Sequence, residues 1–559
     1  MGLAVVVFTR GSETPNAQPA PAPTGAHSTT TATTVPTLGP SAPAPLGLEP
    51  STRECLAANT TALSAEGIRA ENAQPGTTAW RTALTSATTR VNISLDRGSV
   101  QCGGTVAISL RGDTIPAVIT VYRLGWYGGT GGRAVWSSAP IVARPGTVPP
   151  PTGPTRTVVL TWPEVAHLTI PPTWTPGVYA VTAAPADAPS QTSLAPLVIR
   201  ADGVPTPLLV MDSDLTWAAY NSSGGSDLYQ GIADGENGTV AGRSYEVMLA
   251  RPLTSMGLSQ FVSRDAAVAA LIESNGFSVG YTTDASVDND PGQLFSHHGL
   301  IIPGHSEYWT RRMLDGVTAA RDAGVNLAFL GANICYWQAR VTRDASGVPR
   351  SVVVYKSIAP DPIGRANPAD ATTLWGAGPL NRDAVLLTGA RFSGVGVSGP
   401  ERVMAAHSWL LAGTGLADGQ VLQAVAGNEV DSAVPAPGVT VRGVPPQVDV
   451  LLEGVYRPAR AGRSPTMTVS YYVAPSGAGV FSAGTTEWAC KAINRCDEGN
   501  APATTSAAMR RITMTLLQAF SEPKAGLTHP QVGSPGMSDT ALAAVLGPAN
   551  LGVQRGSGE

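Results

Sequence analysis

The feature that most constrains this chain is a change of hydrophobic period at Pro207, after which short apolar runs alternate with amphipathic segments. PLLVM (207–211), FSVGY (277–281), GLIIP (299–303) and VNLAFL (325–330) read as buried strands. Between them, RDAAVAALIESNG reads as a helix that Ser263 can cap and Gly276 ends. RRMLDGVTAARDAG reads as a second, started by Ser306 or Thr310 and stopped at Gly324. Strand, helix, strand, helix, strand is the grammar of a doubly wound α/β domain of the glutaminase or flavodoxin kind, expected over residues 203–525. Ligands of such sheets bind beyond the carboxyl ends of the parallel strands. The residues just past those ends are Asp212, Asp284, GHSEYW (304–309) and GANICYW (331–337), and a later run, QVLQAVA (420–426), leads into GNEVD (427–431).

Upstream, TVAISLRG, AVITVYRLGWYG, TRTVVLTW and PGVYAVTA are short β-branched and aromatic runs punctuated by Gly and Pro. They predict an antiparallel, Ig-like β-sandwich within residues 51–202. YRLGWYGGTGGR lacks the Lys-Ser or Lys-Thr of a phosphate loop and reads as a glycine-rich hairpin displaying Trp126 and Tyr127.

Residues 2–8 form an apolar stub too short to span a bilayer, and a Pro, Ala and Thr tract follows to residue 50 with only Glu13 and Glu49 charged. The pair reads as a truncated signal or anchor and a disordered stalk, so a secreted or surface-anchored protein is expected. Any contact with a membrane would run through that anchor. An oxidising compartment permits disulfides: Cys490 and Cys496 are the first candidate pair, Cys55 and Cys102 the second, and Cys335 is left over. Residues 526–559 read as a tail. The net charge is -4, which offers no basic surplus for nucleic acid.

No H-E-x-x-H motif is present, the letters G-x-S-x-G occur in GFSVG (276–280) at the start of a predicted strand rather than at the strand-to-helix turn a nucleophile needs, and His297 and His298 are adjacent rather than at helical metal-ligand spacing. Cys335 reads as a buried thiol, with Asn333 nearer the turn a nucleophile would occupy.

Seven segments in order carry a resemblance: DSDLTWAAYNSSGGSDLY (212–229), SYEVMLARPL (244–253), PGHSEYW (303–309), GVNLAFLGANICYWQAR (324–340), GTGLADGQ (413–420), GNEVD (427–431) and SGAGVFSAGTTEW (476–488). Together they resemble the large-subunit family of N,N-dimethylformamidase. VYRLGWYGGTGGR (121–133) and IPPTWTPGVYAV (170–181) are similar to the β domain of its exported relatives. The resemblance implies an amidohydrolase that uses mononuclear iron held by two tyrosines and a glutamate. Those positions fall on Tyr308, Tyr336 and Glu429. Two phenolates and a carboxylate suit Fe(III), a hard ion that prefers oxygen. Glu307 or His305 would then carry protons, and Asn333 would hydrogen-bond substrate or water. Asp212, Trp217, Tyr220, Asn221 and Arg251 are expected to brace the site. The expected partner is a small amide. A second reading, from a different class, is a non-catalytic carbohydrate or cell-wall binding module with Trp126, Tyr127 and Trp217 as stacking faces; self-association is compatible with either.

Overall fold

The computed structural model describes residues 50–534, apart from 87–88, 234–235, 434–447, 458–463 and 498. The expected leader and stalk before residue 50, and the tail beyond 534, lie outside the described residues.

Two short helices, Pro50–Ala62 and Ala65–Asn72, open the described chain. Two β-sheets follow. One has three strands (Val91–Leu95, Thr105–Gly112 and Glu164–Thr169), and the other has six, among them Pro116–Leu124, Gly132–Ser137, Gly177–Pro185 and Ser193–Arg200. Pairing is antiparallel except that Ser99–Gln101 runs parallel to Ser193–Arg200. The alternating burial of Thr105–Gly112 and Pro116–Leu124 sends Val106, Ile108, Ile119 and Val121 into one core shared by both sheets. The glycine-rich segment is a hairpin loop between Pro116–Leu124 and Gly132–Ser137, as its composition requires. It does not display Tyr127, however. That residue is 2% exposed and donates its phenol proton to Glu71.

From residue 208 the chain builds a nine-stranded mixed sheet: β1 (Leu208–Asp212), β2 (Val279–Thr283), β3 (Gly299–Ile302), β4 (Asn326–Phe329), β5 (Arg391–Val403), β6 (Val421–Ser432), β7 (Asp449–Val455), β8 (Thr466–Val473) and β9 (Gly479–Ser482). The order is β2-β1-β3-β4-β9-β8-β7-β5-β6. The first five are mutually parallel and the rest are joined antiparallel. The fold is thus mixed α and β, with an antiparallel half that the α/β grammar does not contain. Successive residues of β1 alternate between two cores. Leu208 and Val210 pack with helices α1 (Ala266–Glu273) and α3 (Ala503–Phe520), while Leu209 and Met211 pack with α2 (Arg311–Ala323).

Helix α2 has the termini its sequence specifies. Thr310 Oγ1 accepts from Met313 N, and Gly324 closes the helix at φ +106°, a left-handed value suited to glycine. Ser263 does not cap α1. It lies inside a π-helical turn, Gln260–Asp265, that leads into the helix. Residues 420–426 also depart from expectation, because β6 does not end there. It runs to Ser432 as an antiparallel edge strand, with Ala424 and Asn428 at left-handed φ and register shifts against β5.

Both cysteine pairs are disulfides, with Cα atoms 5.7 Å apart for Cys55–Cys102 and 4.8 Å for Cys490–Cys496, and Cys335 is free and buried. Such bonds suit an extracellular or periplasmic setting. Alkylation of the denatured, unreduced protein should therefore label Cys335 alone. Mass spectrometry showing five labelled cysteines would contradict both bridges. Among the described residues no helix is long and apolar enough to cross a membrane.

Four aspartates gather where β1 and β2 end. Both carboxylate oxygens of Asp212 and of Asp284 are buried without a hydrogen-bond partner. Burial, and then the neighbouring carboxylates, hold Asp212 and Asp284 well above the ordinary range. Burial likewise pushes Asp214 up to about 6 and Asp265 to about 7. The native state therefore binds more protons than the unfolded chain between about pH 4 and pH 7. From these groups, stability is fully present below about pH 4 and is lost as pH rises toward 7. Asp265→Asn mimics the neutral acid, so it should raise the denaturation midpoint at pH 8 and change it little at pH 4. An equal drop at both values would contradict this.

Candidate functional site

Three elements converge beyond the carboxyl ends of β3 and β4. The loop after β3 carries His305 and Glu307 and ends at Tyr308, the first residue of a short strand, Tyr308–Thr310, and the loop after β4 carries Asn333 and Tyr336. These two loops touch through their glycines: a Cβ at Gly331 would lie 2.2 Å from the carbonyl oxygen of Gly304, so only glycine permits the approach. Asn333 and Cys335 both adopt left-handed φ, near +53° and +54°. The third element is β6, which bends over the sheet so that Val430 bridges Thr485 just past β9. Its bulge at Asn428 aims Glu429 inward, and Asn333 Nδ2 donates to Glu429 Oε2 at 2.7 Å. Asn333 N donates to Asp431 Oδ1 at 2.8 Å, which fixes the loop against the strand.

Glu307 is the hub of a second set of bonds. Tyr220 donates to its Oε2 at 2.8 Å, and Tyr229 Oη lies 2.7 Å from both carboxylate oxygens. Tyr308 in turn donates to Tyr229 Oη at 2.7 Å. His305 stands between the two carboxylates, its Nε2 3.6 Å from Glu307 Oε2 and 3.5 Å from Glu429 Oε2. Gln260 Oε1 accepts from His305 Nδ1 at 3.1 Å. His305 Nε2 and Asn333 Oδ1 are both buried without a hydrogen-bond partner. The ring of Tyr336 rests against Trp337 and Phe392, nearer the surface than Tyr308, which is fully buried.

Burial dominates the electrostatics. It raises Glu307, partly opposed by His305 and Lys356. Burial works the same way on Glu429, but His305 and the Asn333 amide overcome it and hold that carboxyl below its ordinary value. His305 loses basicity to burial and regains more from Glu429 and Glu307, so it lies above its usual value. Burial, then Glu307, drives Tyr308, Tyr229 and Tyr220 well above the ordinary phenol. Tyr336 is pushed up to about 12 by burial, then Glu307 and Glu429. Burial also pushes Lys356 down to about 7; its ammonium lies 3.2 Å from the centroid of the Tyr229 ring, with Trp337 and Tyr308 beyond.

Of the residues singled out from the sequence, His305, Glu307, Tyr308, Asn333 and Glu429 meet in one buried polar cluster, Tyr336 lies where Glu307 and Glu429 act on it, and Tyr220 braces Glu307, whereas Asp212 stands in the aspartate cluster instead. Arg251 donates to the carbonyls of Asn221, Ser223 and Ser226, bracing the loop that carries Tyr229. Tyr229, Lys356 and Gln260 join the site although no sequence pattern singles them out. Tyr229 and Lys356 sit in irregular segments with no periodic pattern, and only the presence of a tyrosine in SDLY offered any signal. Cys335 is free and buried, and burial raises its thiol well above the ordinary value, which disfavours the thiolate a nucleophile needs. Trp217 is 2% exposed and, like Tyr127, presents no face for a sugar to stack on. Trp126 alone of that trio is partly open.

No curated protein matches the chain. A family model described as N,N-dimethylformamidase beta subunit-like, C-terminal, matches residues 118–498, more than half of the sequence, and spans every residue of the site just described. The chain belongs to that family.

Proposed function

We propose that this protein hydrolyses the C–N bond of a small amide, using one iron ion held by Tyr308, Tyr336 and Glu429. On the same reading, residues 203–525 are a doubly wound α/β domain extended by its antiparallel strands, residues 51–202 an Ig-like sandwich, and the protein is exported. The observation that carries the proposal is a buried imidazole nitrogen, His305 Nε2, which makes no hydrogen bond and stands 3.6 Å and 3.5 Å from two carboxylates beside a set of phenols. Among the described residues no three His, Cys, Asp or Glu side chains are arranged to hold a metal. The donor set proposed here differs in kind, since two of its three members are phenols. Oxygen donors of this sort fit a hard trivalent ion, and the raised phenols would have to give up their protons to it.

Bound there, the ion would supply Lewis acidity toward an amide carbonyl and toward water. The chain supplies the rest. Asn333 fixes Glu429 and has a free carbonyl oxygen, Oδ1, for the amide N–H or for water. Glu307, kept in one rotamer by Tyr220 and Tyr229, accepts the proton that water loses on attacking the carbonyl. His305, protonated between two carboxylates, donates one to the departing amine. Amide and water thus give carboxylic acid and amine, and passage of the proton from Glu307 to His305 Nε2, 3.6 Å away, restores both groups. The assay is amine release from formamide-type substrates, compared between the native chain and Glu307→Gln.

The binding-module reading loses support, because Tyr127 and Trp217 are buried.

A further inference from the structure

We propose that the seam between the first sheets and the α/β region holds an oxyanion-binding cleft lined by Arg81 and Arg495, with Arg510 nearby across Trp126, which takes a carboxylate or phosphate head group. The three arginines come from distant parts of the chain. Arg81 ends a helical turn, Ala79–Arg81; Arg495 sits in the loop closed by the Cys490–Cys496 disulfide; Arg510 is on α3. Two of them converge on one ring, with Arg495 Cζ 5.0 Å and Arg510 Cζ 5.9 Å from the centroid of Trp126. Arg81 lies 5.0 Å over Trp80. Arg81, Arg495 and Trp80 line a small, shallow cleft, partly open to solvent, with Gly131, Val262 and Ala266.

Three properties point to an anion. First, among the described residues no carboxylate comes within 4.0 Å of any of the three guanidinium groups, although most other arginines of the chain that reach an acid do so at about 3 Å. The acid whose field Arg81 feels, Asp497, is instead held by the hydroxyls of Ser259 and Ser263. Second, Arg81 Nε and Arg510 Nε are buried donors without a partner. An orphaned charged donor is costly, and an incoming oxyanion removes that cost. Burial, and then Arg81, push Arg495 down to about 10, so the like charges interact. Third, only glycine lets the loop come this close to both Arg495 and Trp80, which holds the guanidinium at the edge of the cleft. Gly131 has φ +88°, and a Cβ there would stand 2.8 Å from Arg495 Nη1 and 3.1 Å from Trp80.

The planar guanidinium fork matches carboxylate or phosphate in a way that a bare cation does not. The faces of Trp126 already carry arginine, so the ring supports the charges by cation–π contact and is not a sugar platform. The shallowness of the cleft admits the anionic head group and leaves the remainder of the ligand in solvent.

The test uses the full chain, with melting temperature and tryptophan fluorescence followed during titration with inorganic phosphate or with acetate, each against sodium chloride at equal ionic strength. A saturable response to phosphate, acetate or both, absent with chloride, is expected, and the anion that produces it identifies the head group. Arg495→Gln should weaken that response about tenfold or more. Should Arg495→Gln fail to fold, Arg81→Gln carries the same expectation. Responses to phosphate and acetate no greater than to chloride would overturn the proposal, as would an undiminished response in the folded variants.

Discussion

Glu273→Gln should lower the stability of the native chain by about 3–5 kcal/mol, read as a fall in the denaturant midpoint. Glu273 and Arg123 are paired with neither side chain exposed, Arg123 Nη2 meeting Oε1 at 2.7 Å and Nη1 meeting Oε2 at 2.9 Å. The pair ties strand Pro116–Leu124 of the first sheets to helix α1. Tyr281 of β2 donates to Oε1, and Asn72, at the end of the second short helix, donates to Oε2. Four separate elements therefore meet on one carboxylate. Neutralising it leaves the buried Arg123 guanidinium without its directly bonded carboxylate, Glu71 reaching it only through the Tyr127 hydroxyl, and the cost of that loss exceeds the net worth of the intact pair. The double variant Arg123→Met with Glu273→Gln should recover part of the loss, since the uncompensated charge is gone. A single-variant cost below about 1 kcal/mol would mean that water reaches the pair.

This network marks the limit of what the sequence reveals. The strands at 208–212, 299–302 and 326–329 are legible because a strand buried on both faces must be apolar throughout, and α2 is legible because Thr310 and Gly324 announce its ends. Nothing local pairs Arg123 with a glutamate 150 positions later. The same holds within the candidate site. HSEYW and CYW stand immediately after readable strands, and so their tyrosines could be picked out. The chain around Glu429 differs from its sequence reading in the backbone. GNEVD looked like the turn after a strand, whereas β6 continues through it, because two left-handed residues let an edge strand bulge and bend instead of ending. Tyr229 and Lys356 reach the site from irregular chain, where side-chain direction is set by tertiary contacts and not by any period.

Glu307→Gln should reduce amine release from a small amide by about 10²–10⁴-fold while leaving the fold intact. Glutamine keeps the size of the side chain, and its carbonyl oxygen can still accept from Tyr220 or Tyr229. It cannot take up the proton from attacking water. The loss should appear in kcat more than in KM, because the group acts on a proton that moves only during reaction. A variant as active as the native chain would remove Glu307 from the chemistry and leave it as a brace for the three phenols.

The central claim is that Tyr308, Tyr336 and Glu429 form one iron site, and the most direct measurement is metal analysis of the purified protein joined to its visible absorption spectrum. The account predicts about one iron per chain and a phenolate-to-Fe(III) charge-transfer band. Tyr336→Phe should weaken or abolish the band, and Glu429→Gln should lower the iron content. Protein prepared with iron available that carries none, or that carries iron with no such band and is indifferent to Tyr336→Phe, would contradict it.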